Sequence, residues 1–349
     1  MNRFEYARPA TLAEAFAAGA VPGAAYLAAG TNLMDLMKGG MMRPSHLVDI
    51  TRLPGLDRIE RLSDGGMRIG ALVRNADLAH DPDFAHRFPA VAEALLSGAS
   101  AQLRNAATAG GNLLQRTRCA YFYDTASACN KRDPGAGCDA LGGENRLHAV
   151  LGWSEHCIAT HPSDFCVPLV AFDAVVEVEG ASGRREIALE DFHLLPGETP
   201  ERETVLRPGE LITAVRLPAE AAGFAAHSRY LKVRERISYA FAVVSAASAL
   251  RLESGVVAEA RIALGGVALK PWRARAAEAV LAGERPEPAA FRRAAEVALV
   301  DAAPSGDNLF KIELARRIVV RALTLAAAVT PGRMPALPAS PFSGAMAHV

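Results

Sequence analysis

Between the turn Thr108-Ala109-Gly110-Gly111-Asn112 and the tetrapeptide His161-Pro162-Ser163-Asp164 the chain shows no apolar periodicity. It carries four of its five cysteines there: Cys119, Cys129, Cys138 and Cys157. The stretch is rich in Gly, Asp, Asn and Arg and cannot build a core of its own, so a loop of this length inside a compact domain needs something else to order it. An odd number of cysteines, clustered in one segment, argues against a disulfide framework and for metal or redox chemistry. Thiolate sulfur suits zinc or an iron–sulfur cluster. The intervals between the four are nine, eight and eighteen residues, with no C-x2-4-C knuckle of the kind structural zinc sites use. Such spacing is compatible with a 4Fe-4S cube in a wrapped loop, and leaves zinc open. Cys166, between Phe165 and an apolar run, reads as a small core residue. His148, His156 and His161 are alternative ligands.

Half of the 349 residues are hydrophobic, enough for two or three domains. Thirty-eight basic side chains balance thirty-eight acidic ones, so there is no chain-wide attraction to nucleic acid or to anionic lipid. No apolar stretch is long enough to span a bilayer, and the first twenty residues lack the pattern of a secretory signal. The expectation is synthesis in the cytoplasm, with a final location there or, by co-export with a signal-bearing partner, in the periplasm.

Periodicity divides the chain into three units and a tail. Residues 1–55 form a small α/β unit: a helix over 12–18, a strand into Gly30, a helix from Thr31 or Asn32, and a strand within 45–53. Residues 56–221 begin with a hairpin-like strand pair in 65–80 and one amphipathic helix in 88–108. After the cysteine loop, at about 115–160, come a helix start, a strand pair across 164–192 and a strand at 210–218. Residues 222–330 show Val- and Ala-rich strands followed by two helical stretches, an α+β order. The Pro-rich segment 331–349 reads as a poorly ordered tail. No internal repeat is visible.

The two glycine turns carry the other chemical signal. In Ala28-Ala29-Gly30-Thr31-Asn32-Leu33 a strand delivers the chain to a glycine, and the N–H groups that follow can face an anion. Gly110 and Gly111 lack side chains, so positive φ and close approach of a ligand are expected there, with Thr108 and Asn112 offering hydrogen bonds. Two such turns can grip a pyrophosphate from both sides. Each alone reads equally well as a plain connection, and neither matches a dinucleotide or P-loop fingerprint.

Six stretches together, LAAGTNLMDLMK, TAGGNLLQRTRC, HPSDFCVPLVAFDA, LEDFHLLPGETPERETVLRPGELITAVRLP, YLKVRERISYAFAVVSAA and ALGGVALKPWRA, make the chain resemble the FAD-binding subunit of the xanthine dehydrogenase and aldehyde oxidoreductase family of molybdenum hydroxylases. The likeness is to the branch, of the periplasmic aldehyde oxidoreductase type, whose flavin subunit also carries a 4Fe-4S cluster. It implies an α+β protein: a two-subdomain FAD-binding domain of the vanillyl-alcohol-oxidase (PCMH) type, then a C-terminal α+β domain of the CO dehydrogenase flavoprotein type. Ala28, Ala29, Gly30, Thr31, Asn32 and Leu33 would wrap the FAD pyrophosphate, with Thr108, Gly110, Gly111 and Asn112 opposite. Ser163 and Asp164 match the family's Ser-Asp element beside the nucleotide, and Lys232 and Tyr239 would stand near the flavin ring. Read without the family, Lys232 is a solvated strand charge and Asp164 a helix cap, while Arg234 and Arg236 are surface or partner-contact charges. Relatives commonly carry Gly-Gly where this chain has Ala29-Gly30.

The resemblance further implies Cys119, Cys129, Cys138 and Cys157 as the 4Fe-4S ligands, and no acid–base residue for substrate oxidation. A molybdenum-cofactor large subunit and a 2Fe-2S small subunit would deliver electrons, and an external acceptor would take them. Two other readings compete. One is a zinc-stabilised scaffold with ordinary glycine turns; the other is a stand-alone flavin oxidoreductase using a nicotinamide cofactor, against which the missing dinucleotide fingerprint counts.

Overall fold

The computed structural model describes residues 1–331, so the segment read as a tail lies, from 332 on, outside the described residues. Three sheets organise the chain. The first is parallel, of β1 (Glu5–Ala7), β2 (Ala24–Leu27) and β3 (His46–Asp49) in the order β1-β3-β2, with helix Leu12–Gly19 against it. Thr11 caps that helix, its hydroxyl accepting from the Glu14 N–H.

The second sheet is antiparallel and five-stranded. Its strands are β4 (Ile59–Arg61), β5 (Met67–Gly70), β6 (Val175–Gly180), β7 (Gly183–Ala188) and β8 (Leu211–Leu217), in the order β4-β5-β8-β6-β7. The hairpin expected across 65–80 is instead β4 with β5, and Asn75–His80 is a helix. The single helix expected in 88–108 is two, Pro89–Ser97 and Ala101–Arg104. Gly98 and Ala99, the latter at φ 50°, break it, and the Ser100 hydroxyl restarts it by accepting from the Leu103 N–H.

The third sheet is antiparallel, β9 (Ser228–Val233), β10 (Val244–Glu253), β11 (Val256–Gly265) and β12 (Trp272–Arg273), in the order β12-β11-β10-β9. Three helices follow, Arg275–Leu281, Pro288–Ala298 and Phe310–Ala327, one more than the periodicity suggested. β10 is buried on both faces, and its two-residue alternation separates them. Val244, Ala246 and Leu250 join the core under these helices, whereas Ala247 and Ala249 join the core of the second unit, where helices Cys166–Ala171 and Pro89–Ser97 pack. The small alanines on that second face let the sheet seat closely on the unit that carries the two Gly-bearing segments.

From Leu114 to Phe165 the only regular element is the short helix Ala120–Tyr123. Polar anchors hold the rest. The buried Arg132 guanidinium donates to the carbonyls of Tyr121 and Phe122, both at 3.0 Å, of Asp124 at 2.9 Å, and of Ser127. Lys131, fully enclosed, pairs with Glu203 at 3.0 Å and donates to Pro200 O at 2.8 Å. Lys311, from the last helix, places its ammonium on the carbonyls of Leu147 (2.8 Å), His148 (2.7 Å) and Gly266 (2.7 Å).

Candidate functional site

The three units meet at a cleft of about 980 Å³, the size of pocket that encloses a large cofactor. One wall is the connection leaving β2, where Ala28, Ala29, Gly30, Thr31, Asn32 and Leu33 all line the cavity. Gly30 takes φ 73° while Ala29 does not enter the positive-φ region, so only the glycine position demands the left-handed backbone and the methyl of Ala29 costs nothing. The Met34 and Leu36 N–H groups are spent on Gly30 O and Asn32 O. Those of residues 29–33 donate to no backbone or side-chain acceptor among the described residues. Asn32 Oδ1 accepts from the Arg116 N–H at 3.1 Å, leaving its Nδ2 buried without a partner.

The facing wall is helix Ala109–Leu113, capped by Thr108. Gly110 and Gly111 are helical, not positive in φ as expected from the sequence. Their need is spatial. A Cβ on Gly110 would come within 2.8 Å of Ala71 Cβ, so the helix could not seat on the strand-end behind it, whereas a Cβ on Gly111 would meet only Thr108 Oγ1, at 3.0 Å. The Gly110 N–H is spent on Ala71 O at 2.8 Å, so this turn offers bare surface more than free donors. Thr108, Gly110, Gly111 and Asn112 line the cleft; Ser163 does not. Ser163 stands behind, its hydroxyl donating to Asn112 Oδ1 at 2.8 Å and accepting from the Cys166 N–H at 3.2 Å. The Asp164 carboxylate does not cap the helix Cys166–Ala171, whose N-cap position is Phe165 with no side-chain cap.

Asp164 lies at the cleft wall as the hub of a buried triad: the Tyr230 hydroxyl donates to Oδ1 at 2.5 Å and the Lys232 ammonium to Oδ2 at 2.8 Å. Burial first, then the neighbouring Asp164 charge, pushes the Tyr230 phenol well above its ordinary range. Lys232, almost wholly enclosed, also donates to Ser97 O at 3.2 Å, so it is no solvated strand charge. Tyr239 is exposed at φ 52° in the β9–β10 connection, whose Glu235, Arg236 and Phe241 also border the cleft. Arg236 was read from the sequence as a surface charge, and Tyr230 was not singled out. Alternation along β9 signals that Tyr230 and Lys232 share a face.

Cys119, Cys129, Cys138 and Cys157 line one narrow pocket together with His156. All are free thiols. Cys129 and Cys138 face each other across an isolated backbone bridge, and the Ala159 N–H points at Cys157 Sγ, 3.5 Å away. His148 Nε2 is 3.1 Å from Cys119 Sγ, whereas His161 lies away from the pocket, against His193. Cys166 is fully buried in the core. Burial pushes the Cys119 thiol up to about 11 and raises Cys138 and Cys157.

Residues 2–220 match the family model for the FAD binding domain in molybdopterin dehydrogenase, and residues 229–326 that for the CO dehydrogenase flavoprotein C-terminal domain. The chain belongs to the FAD-binding subunits of the molybdenum hydroxylases. It is 50% identical to the aldehyde oxidoreductase FAD-binding subunit of Escherichia coli over 94% of this chain and 99% of that one. To the carbon monoxide dehydrogenase medium chain of Hydrogenophaga pseudoflava it is 29% identical over 93% and 97%. A solved structure of the Hydrogenophaga enzyme superposes with a TM-score of 0.73 at 30% identity, covering 94% of this chain and 98% of that one. This flavin subunit therefore has the α+β fold anticipated, and FAD is its cofactor. The donor set fits such a guest: a run of unspent N–H groups at 29–33, an unpartnered Asn32 amide and a glycine surface opposite match an anionic diphosphate. No helix among the described residues is long and apolar enough to cross a membrane.

Proposed function

We propose that this chain is the electron-transfer flavoprotein subunit of a molybdenum-containing aldehyde or heterocycle oxidoreductase. It would take electrons from a 2Fe-2S partner subunit and pass them through FAD, and a 4Fe-4S cluster, to an external acceptor. The relative named an aldehyde oxidoreductase subunit favours an aldehyde as the substrate of the molybdenum partner. The flavin would lie between units 1–55 and 56–221, closed by 222–330.

One observation carries this reading: the residues nominated for the pyrophosphate and those nominated for the cluster fall into two separate, internally coherent pockets joined by the segments 112–119 and 157–164. Bound FAD supplies the exchange between electron-pair and single-electron chemistry. The chain's own residues do the rest. Ala28 to Leu33 would hold the diphosphate on unspent N–H groups, with Gly111 leaving room for it. Asp164, fixed by Tyr230, would position Lys232 at the cleft. Tyr239 and Phe241 would limit water at the mouth. Cys119, Cys129, Cys138 and Cys157 would ligate the cluster, with the Ala159 N–H directed at one sulfur.

The test is the cofactor content of anaerobically purified protein. About one FAD with four irons and four sulfides per chain, the arithmetic of a four-cysteine cube, is the expected outcome. FAD with no iron would leave the flavin reading standing and remove the cluster. A colourless protein with one zinc would favour the scaffold.

A further inference from the structure

The cysteine pocket leaves one thiol and two imidazoles unused, and they lie together. Cys166 Sγ and one ring nitrogen each of His161 and His193 fall within 4.8 Å of one another. The two rings are 4.4 Å apart between centroids, tilted by 60°. Two of their nitrogens, His161 Nε2 and His193 Nδ1, are buried and have no hydrogen-bond partner among the described residues; His161 Nδ1 accepts from the Ser163 N–H at 3.4 Å, so ligation through Nε2 requires the ring proton to pass to Nδ1 and that contact to open. Buried polar groups in folded proteins are rarely left without a partner.

We propose that His161, Cys166 and His193 form a binding site for a single soft d10 cation, Cu+ in preference to Zn2+, separate from the four-cysteine pocket. Two imidazoles and one thiolate are the donors that such ions select. His193 already has the outer hydrogen bond typical of a metal-bound imidazole: its Nε2 donates to Leu113 O at 2.8 Å, which fixes the ring and frees Nδ1 to ligate.

Charge selects the ion. Lys131 acts on His161 and Lys270 on His193, with Glu203 the one carboxylate offsetting them at His193 and Asp164 beside Cys166. Lys131 is already neutralised by Glu203 and Lys232 by Asp164. A monovalent ion that displaces the Cys166 thiol proton to solvent adds no net charge to this enclosed place, whereas a divalent ion displacing the same proton adds one that must be desolvated. Access exists as well. His161 borders a small pocket shared with Pro162, Asp164 and Phe241, three residues that also line the flavin cleft. A bound ion would tie the 161–166 segment to His193 directly behind Asn112, and so brace that wall of the cleft.

The experiment uses the full chain with FAD bound, loaded anaerobically with one equivalent of Cu+ from a chelate buffer and, in parallel, of Zn2+. Metal, FAD, iron and sulfide are quantified after desalting, and the retained metal is examined by X-ray absorption. The expected result is one Cu+ per FAD with two nitrogen and one sulfur neighbours and iron unchanged. Retention should be weaker by about a hundredfold or more in both Cys166→Ser, nearly isosteric, and His193→Phe, each with FAD still bound. A sulfur-only shell with loss of iron would put the metal in the four-cysteine pocket and overturn the proposal. So would retention unaltered in both variants, or no retention by the wild type, which would assign the gap to water.

Discussion

The flavin cleft and the cysteine pocket are neighbours along the chain but are built by opposite means. The cleft is made at the ends of regular elements, the exit of β2, the helix Ala109–Leu113 and strand β9, so its geometry is set by the packing of three hydrophobic cores. The cysteine pocket lies in a segment with one short helix, held by Arg132, Lys131 and Lys311 on backbone carbonyls. A site on a scaffold keeps its shape when its guest leaves. A site on a loop depends on what the loop is tied to.

The sharpest break between the two regions is Cys138→Ser. If the pocket is a cluster site, this substitution should abolish iron and sulfide while most FAD remains, and trypsin should then cut within the loop. Loss of FAD with iron retained would contradict the ligand assignment.

Next in size is Asp164→Ala, which leaves the Lys232 ammonium enclosed without its partner and the Tyr230 hydroxyl without an acceptor. Removing one member of such a buried pair costs about 3–5 kcal/mol. The expected outcome is a melting temperature lowered by many degrees together with weakened FAD binding. Asp164→Asn, which keeps the shape and one acceptor, should restore part of the stability and separate charge from packing.

Gly111→Val tests the scaffold side alone. With only Thr108 Oγ1 near the new Cβ, the branched side chain has nowhere to go but the cleft. Overpacking of about 1–3 kcal/mol translates into FAD affinity about ten- to hundredfold weaker. Iron should be unchanged, and equal flavin content in variant and wild type would remove Gly111 from the site.

What the sequence revealed follows the same division. Helical periodicity located the long last helix, whose buried residues recur along one face, while apolar runs bounded by turn residues located β2, β6 and β8, the last buried on both faces between two cores. The helix Pro288–Ala298 escaped notice because its charged face is broad, and the bend at Ala99 because only Gly98 marks it. At the site, Gly30 was legible as the turn between a strand and a helix start, and its φ of 73° is what makes a glycine necessary there. Gly110 and Gly111 were misread as positive-φ residues. Their small size serves a close approach of helix to Ala71 and an open face to the cleft, neither of which is a local property. Tyr230 and the pairing of His161 with His193 depend on contacts across distant segments, and no spacing encodes them.

Lys311→Met probes the ties that hold the loop. It removes three hydrogen bonds to Leu147, His148 and Gly266, and at neutral pH should cost about 1–3 kcal/mol, seen as a lower melting temperature and faster proteolysis near residue 147. The pH dependence has a definite sign. Burial pulls Lys311 down from 10.5 to about 7, so between these values the unfolded chain holds a proton that the folded chain has released. Stability of the wild type relative to Lys311→Met should therefore rise with pH across that window, by at most about 1.4 kcal/mol per unit. A difference independent of pH would mean that the three carbonyls keep Lys311 charged throughout.

The smallest effect is expected where the two regions touch at the surface. Arg146, in the cysteine loop, pairs with Glu235 in the β9–β10 connection, and both side chains are more than half exposed. An exposed pair of this kind contributes little, about 0–1 kcal/mol. Arg146→Ala should then leave melting temperature, FAD and iron unchanged. Glu235 also borders the cleft, however, and so the rate of FAD release is the more searching measurement. If that rate changes in Arg146→Ala with stability constant, the loop and the flavin mouth are mechanically joined through this pair. If it does not, the Arg146–Glu235 pair can be discounted as a link between the two pockets, leaving the segments 112–119 and 157–164 and the packing of Leu36 on Phe122 and Cys129 to carry any coupling.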